Sequence, residues 1–258
     1  MASGTRNWPI FAKEWARSTL RDPKQHFTHR RRRTCPCCGH EGLFVSAKRR
    51  IGPEMRCPNC ASRPRDRFLA LVLRETGGDL AGKRILHFAP EWPLFRQLKG
   101  EAGYVGGDII KRRNANAVVD ITRIDFPAES FDYLICNHVL EHVPDHLHAM
   151  RECARVLRPD GIAFFSVPLD KRRGETWYPP AEMSVAEVEK ICGWDHKRLY
   201  GRDFRELLVS AGMIVTAIEP RPEWVEPHRL YDEQFFVATK QPGRFEWTGP
   251  KWADSAAA

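Results

Sequence analysis

From residue 84 onward the chain alternates short, continuously apolar runs with segments whose apolar residues recur at helical spacing. "RILHF" (84–88), "YVGGD" (104–108), "AVVDI" (117–121), "FDYLICN" (131–137) and "GIAFFSV" (161–167) read as strands buried on both faces. "EWPLFRQLK" (91–99) reads as a short helix, and in "DHLHAMRECARVL" (145–157) Leu147, Met150, Ala154 and Leu157 mark one helical face. Strands alternating with helices predict an α/β fold, a doubly wound and mostly parallel sheet covered on both sides. "GRDFRELLVSAG" (201–212) is a helix closed by Gly212, and "RDRFLALVLRETGG" (65–78) is another, stopped by Gly77 and Gly78.

A chain of 258 residues suffices for one large domain or a medium domain with a small appendage, and 42% hydrophobic content permits a real core. No run of about 18 apolar residues is present to span a bilayer, and the N-terminus lacks the apolar block of a secretory signal. A cytoplasmic protein without a membrane partner is expected. The net charge of +8 is uneven: the first 83 residues hold 18 Lys+Arg against 7 Asp+Glu, leaving 23 against 26 for the remainder. "HRRRR" (29–33), "KRR" (48–50) and "RPRDR" (63–67) can hold phosphates of RNA or of a charged substrate, or form a solvated basic surface.

Four of the eight cysteines, Cys35, Cys38, Cys57 and Cys60, stand in a C-x2-C-x18-C-x2-C pattern. This is zinc-ribbon spacing, since each C-x2-C lets two thiolates converge on one metal from a tight turn, which Pro36, Pro58 and Gly39 favour. No water-activating group accompanies the cysteines, so the expected zinc is structural. Cys37 is the expected spectator, with Cys37 against Cys38 left open by "CPCC", and His40 is a weaker substitute ligand.

Sheets of the predicted kind bind ligands at the carboxyl ends of their strands, beside the point where strand order reverses. Asp108 ends "YVGGD" and Asp120 ends "VVD". A carboxylate in the first position can accept two hydrogen bonds from a ribose diol; a plain surface acid is the alternative for each. "GGDI", "VVDIT", "FPAESFDYLICNHVLEHVPD" and "RECARVLRPDGIAFFSVP" resemble the class I S-adenosylmethionine-dependent methyltransferases of the type 11 group, over residues 84–240. The resemblance implies S-adenosylmethionine as cofactor and a reversed final strand, "FFVATK", after a hairpin from "MIVTAIEP". It also implies the ribose at Asp108 with Ile109 beside it, the adenine near Asp120 and Ile121, and the donor–acceptor junction at Asn137 and His138. Where that family has an acid and several glycines this chain has "HFAPE", so Phe88, Ala89, Pro90 and Glu91 shape the loop at the methionine end. Pro90 suits the first turn of a helix. Glu91 reads equally as a partner for the cofactor's ammonium and as an N-terminal cap.

Methyl transfer from a sulfonium is an in-line displacement, so a base is needed only where the acceptor loses a proton. His138, just past the fourth strand, and His196, beside Asp195, are the candidates for that role, while His146 and His148 are expected on the surface. "LEHVPD" also resembles the matching segment of quinone-pathway O-methyltransferases, where an acid–histidine pair can involve a divalent metal. That gives Glu141 and His142 a metal reading beside a capping one. Residues 169–200 sit where the family inserts an acceptor-binding lid: Trp177 and Tyr178 can stack on a planar or sugar-like acceptor or pack beneath the lid, and Arg198 and Tyr200 are read as acceptor-binding. The expected organisation is an extension (1–30), a zinc ribbon (31–65), a connecting helix (66–83), the main domain (84–240) and a tail (241–258) whose end, "KWADSAAA", is disordered. The expected function is methylation of a small-molecule or glycan-like acceptor at oxygen or nitrogen. The alternatives are an RNA methyltransferase gripping nucleic acid through the basic ribbon, and a non-catalytic binding module on the same scaffold.

Overall fold

The computed structural model describes residues 12–13, 15–16, 20, 31–45, 54–76, 80–231 and 233–252, so the basic run at 48–50 lies outside the described residues. In chain order the elements begin with β1 (Arg32–Thr34), β2 (Glu41–Leu43), α1 (Pro64–Glu75), β3 (Ile85–Phe88), α2 (Trp92–Leu98), β4 (Tyr104–Asp108), β5 (Ala117–Val118) and β6 (Phe131–Asn137). A 3-10 turn at Leu140–His142 then leads to α3 (His146–Val156), β7 (Leu157–Ser166), α4 (Val185–Cys192), α5 (Phe204–Ser210), β8 (Ile214–Ile218), α6 (Pro222–His228) and β9 (Phe235–Thr239). These elements form two compact units. The first takes in the chain up to Leu80 with Glu91–Leu98 and Glu219–Gln234; the second holds the rest.

In the first unit β1 and β2 pair antiparallel around the turn that carries Cys35 and Cys38. Pro64 opens α1, where its missing N–H is no loss, and Asp66 in the first turn accepts from the Arg63 backbone N–H at 2.9 Å. The apolar run read as a helix is one: Phe68, Leu69, Leu71 and Val72 are buried. Arg67, on the same helix, has no exposed surface, and its guanidinium donates to the carbonyls of Ser62 (2.7 Å), Met55 (3.3 Å), His228 (2.7 Å) and Arg229 (3.1 Å). Arg33 is also buried, pairing with Glu54 at 3.2 Å and Glu226 at 2.8 Å. Two of the arginines that make this region basic are therefore internal struts of the unit.

The second unit is built on a seven-stranded sheet in the order β5-β4-β3-β6-β7-β9-β8. The neighbours from β5 to β7 pair parallel, while β9 runs antiparallel to both β7 and β8. The doubly wound sheet and its reversed last strand are as expected. From β3 the chain first builds outward through β4 and β5, then returns to the other side of β3 with β6, so the switch point lies between the ends of β3 and β6. All four residues of β3 and all five of β9 are buried, the pattern of strands covered on both faces. Gly107 lets β4 approach the chain after β5: a Cβ there would lie 2.8 Å from the Val119 side chain.

Three boundaries depart from the sequence pattern. β5 ends at Val118 because the Asp120 carboxylate accepts from the Thr122 N–H (2.8 Å) and hydroxyl (2.7 Å), closing a turn where a longer strand is expected. β7 starts at Leu157, with Leu157 opposite Phe131 and a register irregularity before Ile162 meets Tyr133; a Cβ at Gly161 would collide with Leu157 at 2.7 Å. Lys251 and Trp252, expected in a disordered end, are placed against the sheet. Lys251 bridges to Ile218, the Trp252 N–H donates to the Ala217 carbonyl at 3.2 Å, and its ring packs edge-on to Phe236.

Candidate functional site

In the first unit the sulfurs of Cys35, Cys38, Cys57 and Cys60 all lie within 4.8 Å of one another. Two of the separations are 3.6 Å (Cys35–Cys60) and 3.7 Å (Cys38–Cys57), close to the about 3.8 Å edge of a tetrahedron with Zn–S bonds of about 2.3 Å. The set fits a structural zinc ion. Burial alone would raise the Cys35 thiol, but hydrogen bonds from Cys37, Cys38, Cys57 and Cys60 bring it well below the ordinary thiol range. Cys37 stands outside the four, raised by its hydrogen bond to Cys35 and by burial, with its S–H donated to the Asp66 carbonyl at 3.3 Å. Ser62 Oγ lies 3.2 Å from the Cys35 sulfur and Asn59 Nδ2 donates to that of Cys38 at 3.4 Å, the outer bonds that hold a ligand's orientation.

In the second unit the end of β3 makes the glycine-free turn. Ala89 takes φ +43°, a left-handed conformation that favours glycine, and its N–H donates to the Gly107 carbonyl at 2.7 Å. A residue without a branched side chain is what this turn requires, and alanine is the smallest one with a Cβ. Phe88 is buried in the core, Pro90 is buried and its carbonyl accepts from Asn114. Glu91 lies in the first unit, its carboxylate 3.8 Å from Arg65.

Asp108, buried at the end of β4, lies 2.8 Å from the guanidinium of Arg112. Ile109 after it is exposed, Ile121 is buried and Asp120 is exposed in its turn. Asn137 ends β6 beside the switch point. Its Oδ1 accepts from Ser166 Oγ at 3.1 Å, and its Nδ2 is buried with no hydrogen-bond partner among the described residues.

The residues after β6 gather acid and imidazole. His138 has φ +51° and donates its N–H to the Ser166 carbonyl at 2.8 Å; its Nδ1 stands 3.3 Å from Oε1 of Glu141, which is 1% exposed. Neither carboxylate oxygen of Glu141 has a hydrogen-bond partner among the described residues. His142 and His196, which stand on separate segments, meet edge-to-face at 4.8 Å, and each offers a ring nitrogen within 4.8 Å of the Glu141 carboxylate. Burial holds His196 below the usual imidazole range, with His142 and His138 adding to the effect against the pull of Glu141. One carboxylate and two imidazoles fit a divalent cation, which would polarise an acceptor oxygen there. Without one, the Glu141 carboxylate stands at ion-pairing distance from His138.

The lid-like segment is pinned at its base. The sequence reading sets Arg198 and Tyr200 against the acceptor, but both are buried because the chain folds their polar groups inward. Arg198 donates to the carbonyls of Leu140 (2.8 Å), Val143 (2.6 Å) and Pro144 (2.7 Å). His146 is corrected too: it is 4% exposed, bonded through Nδ1 to the Tyr200 hydroxyl (2.9 Å) and through Nε2 to that of Tyr178 (3.1 Å), while His148 is exposed as expected. Tyr178 remains half-exposed, and Trp177 pairs with Leu199.

Burial, reinforced by Arg198, lowers His146 to about 4. An unfolded chain takes that proton near 6.5 and the folded one resists it, so stability is expected to fall by about 3 kcal/mol as pH drops from 7 to 4. Urea unfolding of wild type and His146→Gln at pH 7, 5.5 and 4.5 measures this. The gap between them should close as pH falls; a pH-independent gap contradicts the assignment.

The residues that local pattern did not single out are Ser166 and Arg112. Ser166 left the only trace, a polar residue closing the apolar run "AFFSV".

Residues 106–165, from within β4 to within β7, match the family model of a methyltransferase domain. The chain is 49% identical to the ubiquinone biosynthesis O-methyltransferase of Histophilus somni, over 34% of this chain and 49% of that protein. It is 34% identical to the protein of the same name from Idiomarina loihiensis, over 47% of this chain and 52% of that one. The chain thus spans about half the length of these curated relatives. Among solved structures it is similar to an S-adenosylmethionine-dependent methyltransferase from Mesorhizobium loti (18% identity, 66% of this chain and 95% of that one, TM-score 0.45). It is also similar to Haemonchus contortus phosphoethanolamine N-methyltransferase 2 in complex with S-adenosyl-L-methionine (16% identity, 66% and 51%, TM-score 0.45). The stretch of the second unit from β4 to β7 is thus similar to a methyltransferase domain, and it lies in a sheet whose last strand is reversed.

Proposed function

We propose that this protein transfers the methyl group of S-adenosylmethionine to an oxygen of a small-molecule acceptor. The observation that carries the reading is Asp108, a buried carboxylate at the end of β4 beside the switch point, where a ribose diol can displace or share the guanidinium of Arg112. The names of the two relatives favour oxygen as the accepting atom. In the transfer the acceptor oxygen attacks the methyl carbon, an O–C bond forms, and the S–C bond breaks with its electron pair left on sulfur as a thioether. The protein's task is alignment and exclusion of water. Where the acceptor is a hydroxyl, its proton goes to His138, and the Glu141 carboxylate, 3.3 Å from His138 Nδ1, stabilises the imidazolium that forms. His196 is the second candidate base, and Trp177 and Tyr178 of the lid-like segment are the surfaces for the acceptor ring.

The test is calorimetric titration of zinc-replete protein with S-adenosylmethionine. Wild type should bind with micromolar affinity, and Asp108→Ala should bind at least about 30-fold more weakly, the loss of hydrogen bonds to a charged group. A folded wild type that does not bind overturns the proposal.

A further inference from the structure

Asn137 and Ser166 are the last residues of β6 and β7 and stand directly opposite each other in the ladder. Both side chains are 3% exposed. The Ser166 hydroxyl donates to Asn137 Oδ1 at 3.1 Å, and the Ser166 carbonyl accepts the His138 N–H at 2.8 Å. In this arrangement the Ser166 hydroxyl donates to the amide oxygen, which turns the NH2 away from it. That NH2 is buried and has no partner among the described residues. A buried donor left unpaired is costly and calls for a ligand atom to receive it. Its place is specific: Cys136, the residue before Asn137, is opposite Phe88, so Asn137 sits beside the Ala89 turn on the two strands that flank the switch point.

We infer that Ser166 is a positioning residue that locks the amide of Asn137 with Nδ2 facing the switch point, where it donates to an oxygen of the bound methyl donor. The inference rests on the methyltransferase reading and adds to it a residue outside the acidic and histidine motifs. Ser166 acts on the ligand only through Asn137.

The experiment is a double-mutant cycle read by titration with S-adenosylhomocysteine, with thermal melting of every variant as the check on folding. Asn137→Ala should weaken binding roughly tenfold and Ser166→Ala roughly threefold. In the Asn137→Ala background Ser166→Ala should change nothing further, and in the wild-type background Ser166→Thr, which keeps the hydroxyl, should bind as tightly as the wild type. A serine that only packs the strand would weaken binding equally in both backgrounds, and that result overturns the inference. So does wild-type affinity in Asn137→Ala. If Asn137→Ala does not fold, Asn137→Asp takes its place, keeping the shape and the acceptor for Ser166 but lacking the N–H. Repeating the titration with 5′-methylthioadenosine, which lacks the amino-acid end, identifies the oxygen. An effect on S-adenosylhomocysteine alone assigns it to the carboxylate, and an effect on both ligands assigns it to the ribose. Failure of wild type to bind S-adenosylhomocysteine would instead sink the methyltransferase reading itself.

Discussion

Cys57→Ser, or exhaustive chelation of the wild type, is expected to unfold the first unit. The described core of that unit is slight: two three-residue strands, one 12-residue helix and short flanking helices. A structural zinc in such a setting supplies about 10–16 kcal/mol of apparent binding free energy, as much as the whole stability of a typical domain. The cluster also sits beside Arg67, whose buried guanidinium ties Ser62 next to the ligands to His228 and Arg229 beyond α6. Removing the metal leaves four cysteine sulfurs crowded within 4.8 Å of one another with no cation to share them. Hydrogen exchange should therefore lose protection throughout α1 and α6 in Cys57→Ser, and elemental analysis should fall from one zinc per chain to none. Unchanged protection with full occupancy in wild type would make the zinc incidental to folding; wild type without zinc would make the four cysteines something other than a ribbon.

What the sequence shows and what it hides divide along range of interaction. The cysteine spacing, the α1 stripe and the strands β3, β4, β6 and β9 are local patterns, and each appears where its pattern lies. Asp120 misled because a carboxylate two residues before a threonine can close a turn as readily as it can end a strand. Ala89 could be named as small but not as left-handed, since its φ of +43° is set by the way the chain turns out of β3. His146 and Tyr200 are 54 residues apart, so no periodicity distinguishes this histidine from exposed His148 on the same helix. The meeting of Glu141 with His196 is of the same kind: the pair "EH" is visible, and its third member arrives from the far end of the lid-like segment.

Arg198→Ala is expected to lower the melting temperature by about 10 °C. The guanidinium, 4% exposed, satisfies the carbonyls of Leu140, Val143 and Pro144 at once, and a planar fork of donors is the one side chain that can do so. Truncation takes a donor from all three carbonyls, leaving that of Leu140 to the Tyr200 hydroxyl at 3.3 Å and the Val143 N–H, and opens a void where the side chain lay. Losses of this kind cost about 3–5 kcal/mol, and for a chain of this size each kcal/mol moves the midpoint by roughly 2–4 °C. Arg198→Lys, with one compact ammonium, should recover only part of the difference. The carbonyls that Arg198 gathers belong to the turn that carries Glu141 and His142, so loosening it displaces the carboxylate beside His138. Turnover should then fall in Arg198→Ala at saturating acceptor, at a temperature where the variant is fully folded, while the affinity for S-adenosylhomocysteine stays near wild type. An unchanged melting temperature with a raised acceptor KM would return Arg198 to the acceptor surface and leave the turn to be held by Tyr200 alone.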